Sequence, residues 1–137
     1  MRRSILAIIM VLCGLTAQAQ EVLAPNSDIE ATIQGQFDAF AAEDLNGAWA
    51  FASPNIQRLF ETPETFGRMV QEGYPMVWDP AQVDFIDLQT LSGIFVQRVR
   101  VTDRAGATHY LGYQMVQTDA GWQINAVMVL PAPDVGV

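Results

Sequence analysis

The sequence has no lysine, one histidine and one cysteine, and each shortage closes off a class of chemistry. Cys13 lies inside an apolar N-terminal run, and no thiol follows it. Beyond that run the chain can form no disulfide, cysteine nucleophile or thiolate metal site. With His109 as the only histidine, a multi-histidine metal site or a histidine-paired triad has little to be built from. Its place beside the tight loop 103–106 predicts an exposed ring rather than a catalytic one. Positive charge is scarce as well: seven arginines face fifteen carboxylates, for a formal net charge of −8. Such a surface repels phosphate backbones and anionic lipid, which speaks against nucleic-acid binding. The carboxylates are scattered rather than blocked, so they read as solubilising charge. No repeat, low-complexity tract, glycine-rich phosphate loop, metal-spaced carboxylate set or activated serine is present.

Long apolar runs are also missing. Ile5 to Leu15 is too short to cross a bilayer, which takes about 20 apolar residues. Arg2 and Arg3 precede it and Ala17-Gln18-Ala19 follows, the small-x-small pattern of a signal peptide cleaved after Ala19. The expectation is export, to the periplasm or beyond, with no membrane attachment once residues 1–19 are removed. Loss of Arg2 and Arg3 makes the remainder more acidic still. An exported domain without disulfides is held by core burial alone, and a chain of this length can bury enough.

What remains reads as one domain over residues 28–130, with a leader at 20–27 and a loose tail at 131–137. Ser27-Asp28-Ile29-Glu30 has the form of a capping box. Ile29, Ile33, Phe37, Phe40 and Ala41 then recur at helical spacing, predicting a helix to about residue 43. Asp44 can cap a short second helix through Trp49. Ser53-Pro54 and Thr62-Pro63 each pair a cap with a proline suited to the first helical position. The fourth helix, carrying Phe66, Met69 and Val70, is expected to end on Gly73 as a left-handed cap. A non-helical connection containing Tyr74 and Trp78 follows.

After Pro80 the period changes to alternation, predicting strands over 82–91, 94–103, 108–118 and 122–130. The alternation breaks at Phe85-Ile86, which signals a bulge or a change of face. Helices followed by an antiparallel meander imply an α+β fold: N-terminal helices packed on a curved four-stranded antiparallel sheet.

The stretches Phe37-Asp38-Ala39-Phe40, Asp44-Leu45-Asn46-Gly47-Ala48-Trp49 and Asp119-Ala120-Gly121-Trp122-Gln123-Ile124 resemble the nuclear transport factor 2-like superfamily. Phe51-Ala52-Ser53-Pro54 and Gly73-Tyr74-Pro75 resemble, more particularly, a group of small exported bacterial domains of unknown function within it. The resemblance spans about residues 28 to 130. It implies a cone-shaped roll, with a bent sheet around a long helix and a cavity at the open end. Ketosteroid isomerase, scytalone dehydratase and polyketide cyclases are enzymatic relatives, while other members only bind ligands or dimerise, so the fold does not choose a function. The isomerase's donor tyrosine has no counterpart here, because Ile33, Phe37 and Phe40 hold the inward positions of the first helix.

The aromatic and methionine residues point to an apolar pocket. Phe37, Trp49, Phe66, Met69, Tyr74 and Tyr113 are the candidate ligand-binding residues, with Tyr74, Tyr113 and Gln114 supplying the few oriented polar groups such a pocket needs. Trp78 is expected to close the core and Tyr74 to face the cavity, since large aromatics mostly serve burial. The leading expectation is therefore a non-catalytic exported domain that binds a small apolar molecule and needs no cofactor. A second reading is an isomerase or hydrolase with Asp84 or Asp87 as base and Arg98 polarising the substrate. Asp84, Asp87, Arg98 and Arg100 fall on adjacent strands, however, where a solvated outer face is the favoured account of them. A third reading is a homodimer formed through the sheet.

Overall fold

The computed structural model describes residues 20–133. The expected signal peptide with Cys13, and residues 134–137 of the expected tail, lie outside the described residues. The fold is α+β. A short strand β1 (Glu21–Leu23) precedes five helices, α1 (Ser27–Ala41), α2 (Leu45–Ala50), α3 (Pro54–Phe60), α4 (Pro63–Gly73) and α5 (Pro75–Trp78). Four longer strands follow: β2 (Gln82–Leu91), β3 (Ile94–Thr102), β4 (Thr108–Thr118) and β5 (Gly121–Leu130). The sheet is open, every neighbouring pair is antiparallel, and the strand order is β1-β2-β3-β4-β5.

The sheet thus has five strands among the described residues, not the four expected. The extra one lies in the expected leader, where Glu21, Val22 and Leu23 pair with Thr90, Gln89 and Leu88. Three residues are too few to show an alternation, so β1 exists because β2 offers it an edge.

Local chemistry explains most helix boundaries. Helix α1 is capped by Asn26, not Ser27: Asn26 is the last extended residue, and its Oδ1 accepts from the amides of Asp28 at 3.0 Å and Ile29 at 3.2 Å. Asp44 accepts from the Gly47 amide, Ser53 from Ile56 and Thr62 from Thr65, each at the head of its helix. Gly73 is not a left-handed cap. It is the last residue of α4, and Tyr74 after it takes φ −134° and ψ 59°. Pro75 is the cause, because a residue before proline is pushed out of the helical region. The chain breaks at Tyr74 and restarts as α5, where an irregular connection was expected. The Tyr74 amide still closes α4 on Val70 O at 2.8 Å, while its carbonyl receives the amides of Val77 and Trp78.

The predicted stripe of α1 supplies the core, except for Ala41, which ends the helix exposed. Ile29, Ile33, Phe37 and Phe40 are buried against Leu88 of β2, Val99 and Val101 of β3, and Leu111, Tyr113 and Met115 of β4. Burying each such side chain contributes about 1.5–3 kcal/mol. The break at Phe85-Ile86 is a bulge, since the β2–β3 register shifts between Phe85 and Asp87. A second shift at Gln114/Met115 displaces β5 against β4. There the loop after α2 docks alongside, with Ser53 N donating to Ile124 O and Ile124 N to Phe51 O, both at 2.8 Å.

Candidate functional site: an apolar cavity beside the last strand

Where α3, α4 and β5 meet the end of α1, the packing leaves a cavity of about 240 Å³. Helix α1 contributes Gln36 and Phe40; α3 contributes Ile56, Leu59 and Phe60. Phe66, Met69 and Val70 of α4 form another wall, continued by Tyr74 and by Val77 of α5. Ala52, Ile124, Ala126 and Val127 close the far side. Each wall follows from the helix boundaries. Ser53-Pro54 starts α3 where the loop is pinned to β5, and the break at Tyr74 turns that side chain toward the same strand.

The lining is apolar apart from two groups. Gln36 is buried, and its Nε2 donates to Ala48 O at 3.1 Å, which ties α1 to α2. The hydroxyl of Tyr74 donates to Val127 O at 3.5 Å, the long limit of a hydrogen bond. Among the described residues no charged one lines the cavity. A linked series of rings holds its inner end. Phe66 lies 5.9 Å from Phe40, 5.6 Å from Trp49 and 5.7 Å from Phe60, and Phe40 lies 5.5 Å from Trp78.

Of the ligand-binding candidates, Phe66, Met69 and Tyr74 line the cavity. Phe37, Trp49 and Tyr113 do not: Trp49 packs behind Phe66, and Phe37 turns to Tyr113 at 6.1 Å between centroids. Trp78 packs on Phe40 and is absent from the lining. Phe40, Ile56, Phe60, Val77 and Val127 line the cavity without having been singled out. Their only signal in the sequence was apolar character at core spacing, which does not separate a wall from a filled interior.

Tyr113 is buried, and burial pushes its phenol well above the usual tyrosine range, with the neighbouring Tyr74 adding to the shift. Among the described residues its hydroxyl is the buried side-chain polar atom that has no hydrogen-bond partner.

The charged candidates lie elsewhere. Arg98 and Arg100 alternate with the core residues Gln97, Val99 and Val101, so they occupy the sheet face turned away from the helices. There Arg98 pairs with Asp87 at 2.6 Å and Arg100 with Asp84 at 3.3 Å. The Arg98 guanidinium hydrogen-bonded to Asp87 holds that carboxyl below the usual carboxylate range, the reverse of what a general base in an apolar pocket requires. Asp84, Asp87 and Arg98 are therefore not brought to the cavity. Gln114, the third polar candidate, also falls on this outer face, opposite Val96. His109 bonds Asp103 at 2.8 Å in a separate cleft near Trp78, where Asp103 also accepts from the amides of Ala105 and Ala107. That aspartate is held low first by His109 and then by the Ala107 amide.

The outer face is not uniformly polar. Ile86, Leu91 and Met128 are exposed around a groove of about 530 Å³ that also takes in Val96 and Tyr110, and Ile94 is exposed as well. Among the described residues no helix is long and apolar enough to cross a membrane.

No curated protein matches the chain, and no solved structure does either. One family model does, over residues 23–137, a span that begins within β1 and takes in every helix and the rest of the sheet. The chain accordingly belongs to that family, DUF4864, a domain of unknown function.

Proposed function

We propose that this chain is a non-catalytic binding domain that receives a small apolar molecule in the cavity between α3, α4 and β5. The observation that carries the reading is the cavity's lining: apolar walls from four helices and one strand, with Gln36 and Tyr74 as its polar members. Ligand sites are typically concave, apolar and provided with few polar groups. At about 240 Å³ the cavity lies below the usual range of about 300–1,000 Å³ for such sites. A protein cavity of about 150 Å³ already accommodates benzene, so a one- or two-ring molecule is the right scale. In this reading the sheet, bent at its two register shifts, cradles α1 as in the nuclear transport factor 2-like roll, and the domain works after export.

The test is calorimetric titration and thermal unfolding with toluene, ethylbenzene and acetophenone. A site-specific ligand at 100 times its dissociation constant stabilises by about 2.7 kcal/mol, a shift of several degrees. Met69→Trp, which fills the cavity from a partly exposed position, is expected to abolish the shift while the protein stays folded. No shift in the unsubstituted protein with any of the three would refute the reading.

The exposed apolar residues of the outer sheet face favour a second reading, a homodimer joined through that face. Sedimentation of the protein and of Met128→Glu tests it, and a concentration-independent monomer removes it. Catalysis through Asp84, Asp87 and Arg98 draws no support from their placement, because both carboxylates are engaged by arginines on the face opposite the cavity.

A further inference from the structure

The hydroxyl of Tyr113 is the starting point. It is buried and, among the described residues, has no hydrogen-bond partner. A buried donor left unmade is costly, and a phenylalanine would fill nearly the same space without that cost. Such an atom calls for an acceptor, and the fold indicates where one would come from. Across the β4–β5 ladder Tyr113 faces Val127, and its phenol interacts electrostatically with Tyr74. Val127 and Tyr74 both line the cavity, so the ladder partner of Tyr113 belongs to its wall although Tyr113 itself does not. That wall is lightly fastened. The hydrogen bond joining its two residues, Tyr74 Oη to Val127 O, spans 3.5 Å and is correspondingly weak.

Resting on the reading of the cavity as a binding site, we propose that its occupant carries a neutral carbonyl oxygen, to which the hydroxyl of Tyr113 donates when the side chain of Tyr74 gives way. The acceptor is neutral because the lining holds no cation, and an unpaired carboxylate in so apolar a site would lose its hydration without compensation. It is an acceptor because the buried O–H, protonated at neutral pH like any phenol, has a hydrogen to donate and no partner to take it. The predicted ligand class is a small one- or two-ring ketone, aldehyde or ester.

Acetophenone and ethylbenzene, which share a ring and nearly the same size but differ in the carbonyl, are the probes. Titrated into the full chain, Tyr113→Phe is expected to weaken acetophenone roughly tenfold while leaving ethylbenzene within about twofold, the loss of one neutral hydrogen bond. Equal changes for the two probes, or none, would overturn the inference and leave the cavity reading standing. Binding of neither probe to the unsubstituted protein would overturn the inference, and the cavity reading with it if toluene also fails to bind. Should Tyr113→Phe fail to fold, the infrared carbonyl stretch of acetophenone bound to the unsubstituted protein gives the same answer. A band lowered from its position in hexane is expected in Tyr74→Phe as in the unsubstituted protein, and a band unshifted in Tyr74→Phe overturns the proposal.

Discussion

Arg98 holds Asp87 through two hydrogen bonds, Nε to Oδ1 at 2.7 Å and Nη2 to Oδ2 at 2.6 Å, across the β2–β3 ladder just past the bulge at Ile86. The bulge makes this contact, since it shifts Asp87 into register with Arg98 and onto the outer face beside Asp84. Because the folded carboxyl titrates below its ordinary value, its contribution is full above the unfolded pKa of about 3.9 and fades as pH falls through the folded value. Asp87→Asn is therefore expected to cost about 1 kcal/mol at neutral pH, a modest figure because solvent reaches the pair. The difference from the unsubstituted protein should shrink as pH falls below the unfolded pKa and vanish once pH is below the lowered folded value. Urea unfolding across pH 2–7 checks this, and a gap of unchanged size at the acid end would show that the ion pair is not its source.

Phe40 and Tyr74 both line the cavity but carry different structural weight. Phe40 is 1% exposed and touches the rings of Phe66 and Trp78, whereas Tyr74 is only half-buried. Phe40→Ala should cost about 3–5 kcal/mol. Tyr74→Ala should cost well under half as much while weakening apolar ligands. Chemical denaturation beside a binding titration separates the two, and a Tyr74 variant as unstable as the Phe40 one would make Tyr74 a core residue.

Ser53 performs two tasks with one hydroxyl, accepting from the Ile56 amide at the head of α3 and donating to Asn125 Oδ1 at 2.7 Å. Ser53→Ala removes the cap and leaves Asn125 short of a donor, so about 1–2 kcal/mol should be lost. Thermal unfolding measures it. A loss of a few tenths would mean that Asn55, which also reaches Asn125 Oδ1 at 3.3 Å, takes over the contact.

At Gly35 the ring of Phe51 lies end-on against α1, and a Cβ built there would sit 2.6 Å from its Cζ. Alanine favours a helix by about 1 kcal/mol over glycine, so propensity alone predicts stabilisation. The ring has to move, however, and crowding of this kind typically costs about 1–3 kcal/mol. Gly35→Ala is expected to destabilise the protein; a raised melting temperature would show that Phe51 yields without cost.

Much of this architecture is legible in local chemistry. Ser53-Pro54 and Thr62-Pro63 mark helix starts because a cap oxygen and a proline ring act within one turn, and β2 and β4 end where their alternation does. The missed features depended on distant partners. Glu21 to Leu23 became a strand only because Leu88 to Thr90 present an edge, and α5 formed because Pro75 permits a helix to restart after breaking one. The site was half legible for the same reason. Phe37 and Phe40 share one stripe of α1, yet one turns to Tyr113 and the other to Phe66 and the cavity.

By itself the sequence determined the succession of helices before strands, the break in the alternation of β2 and the scarcity of lysine and histidine, because periodicity, capping and composition act over a few residues or over none. Only the tertiary structure decided that Asp84 and Asp87 face arginines rather than the interior, that Tyr74 shares a wall with Val127, and that the Tyr113 hydroxyl is enclosed without a partner. Those outcomes depend on register and on the docking of α3 and α4 against β5, and contacts between residues so far apart along the chain leave no local pattern to read.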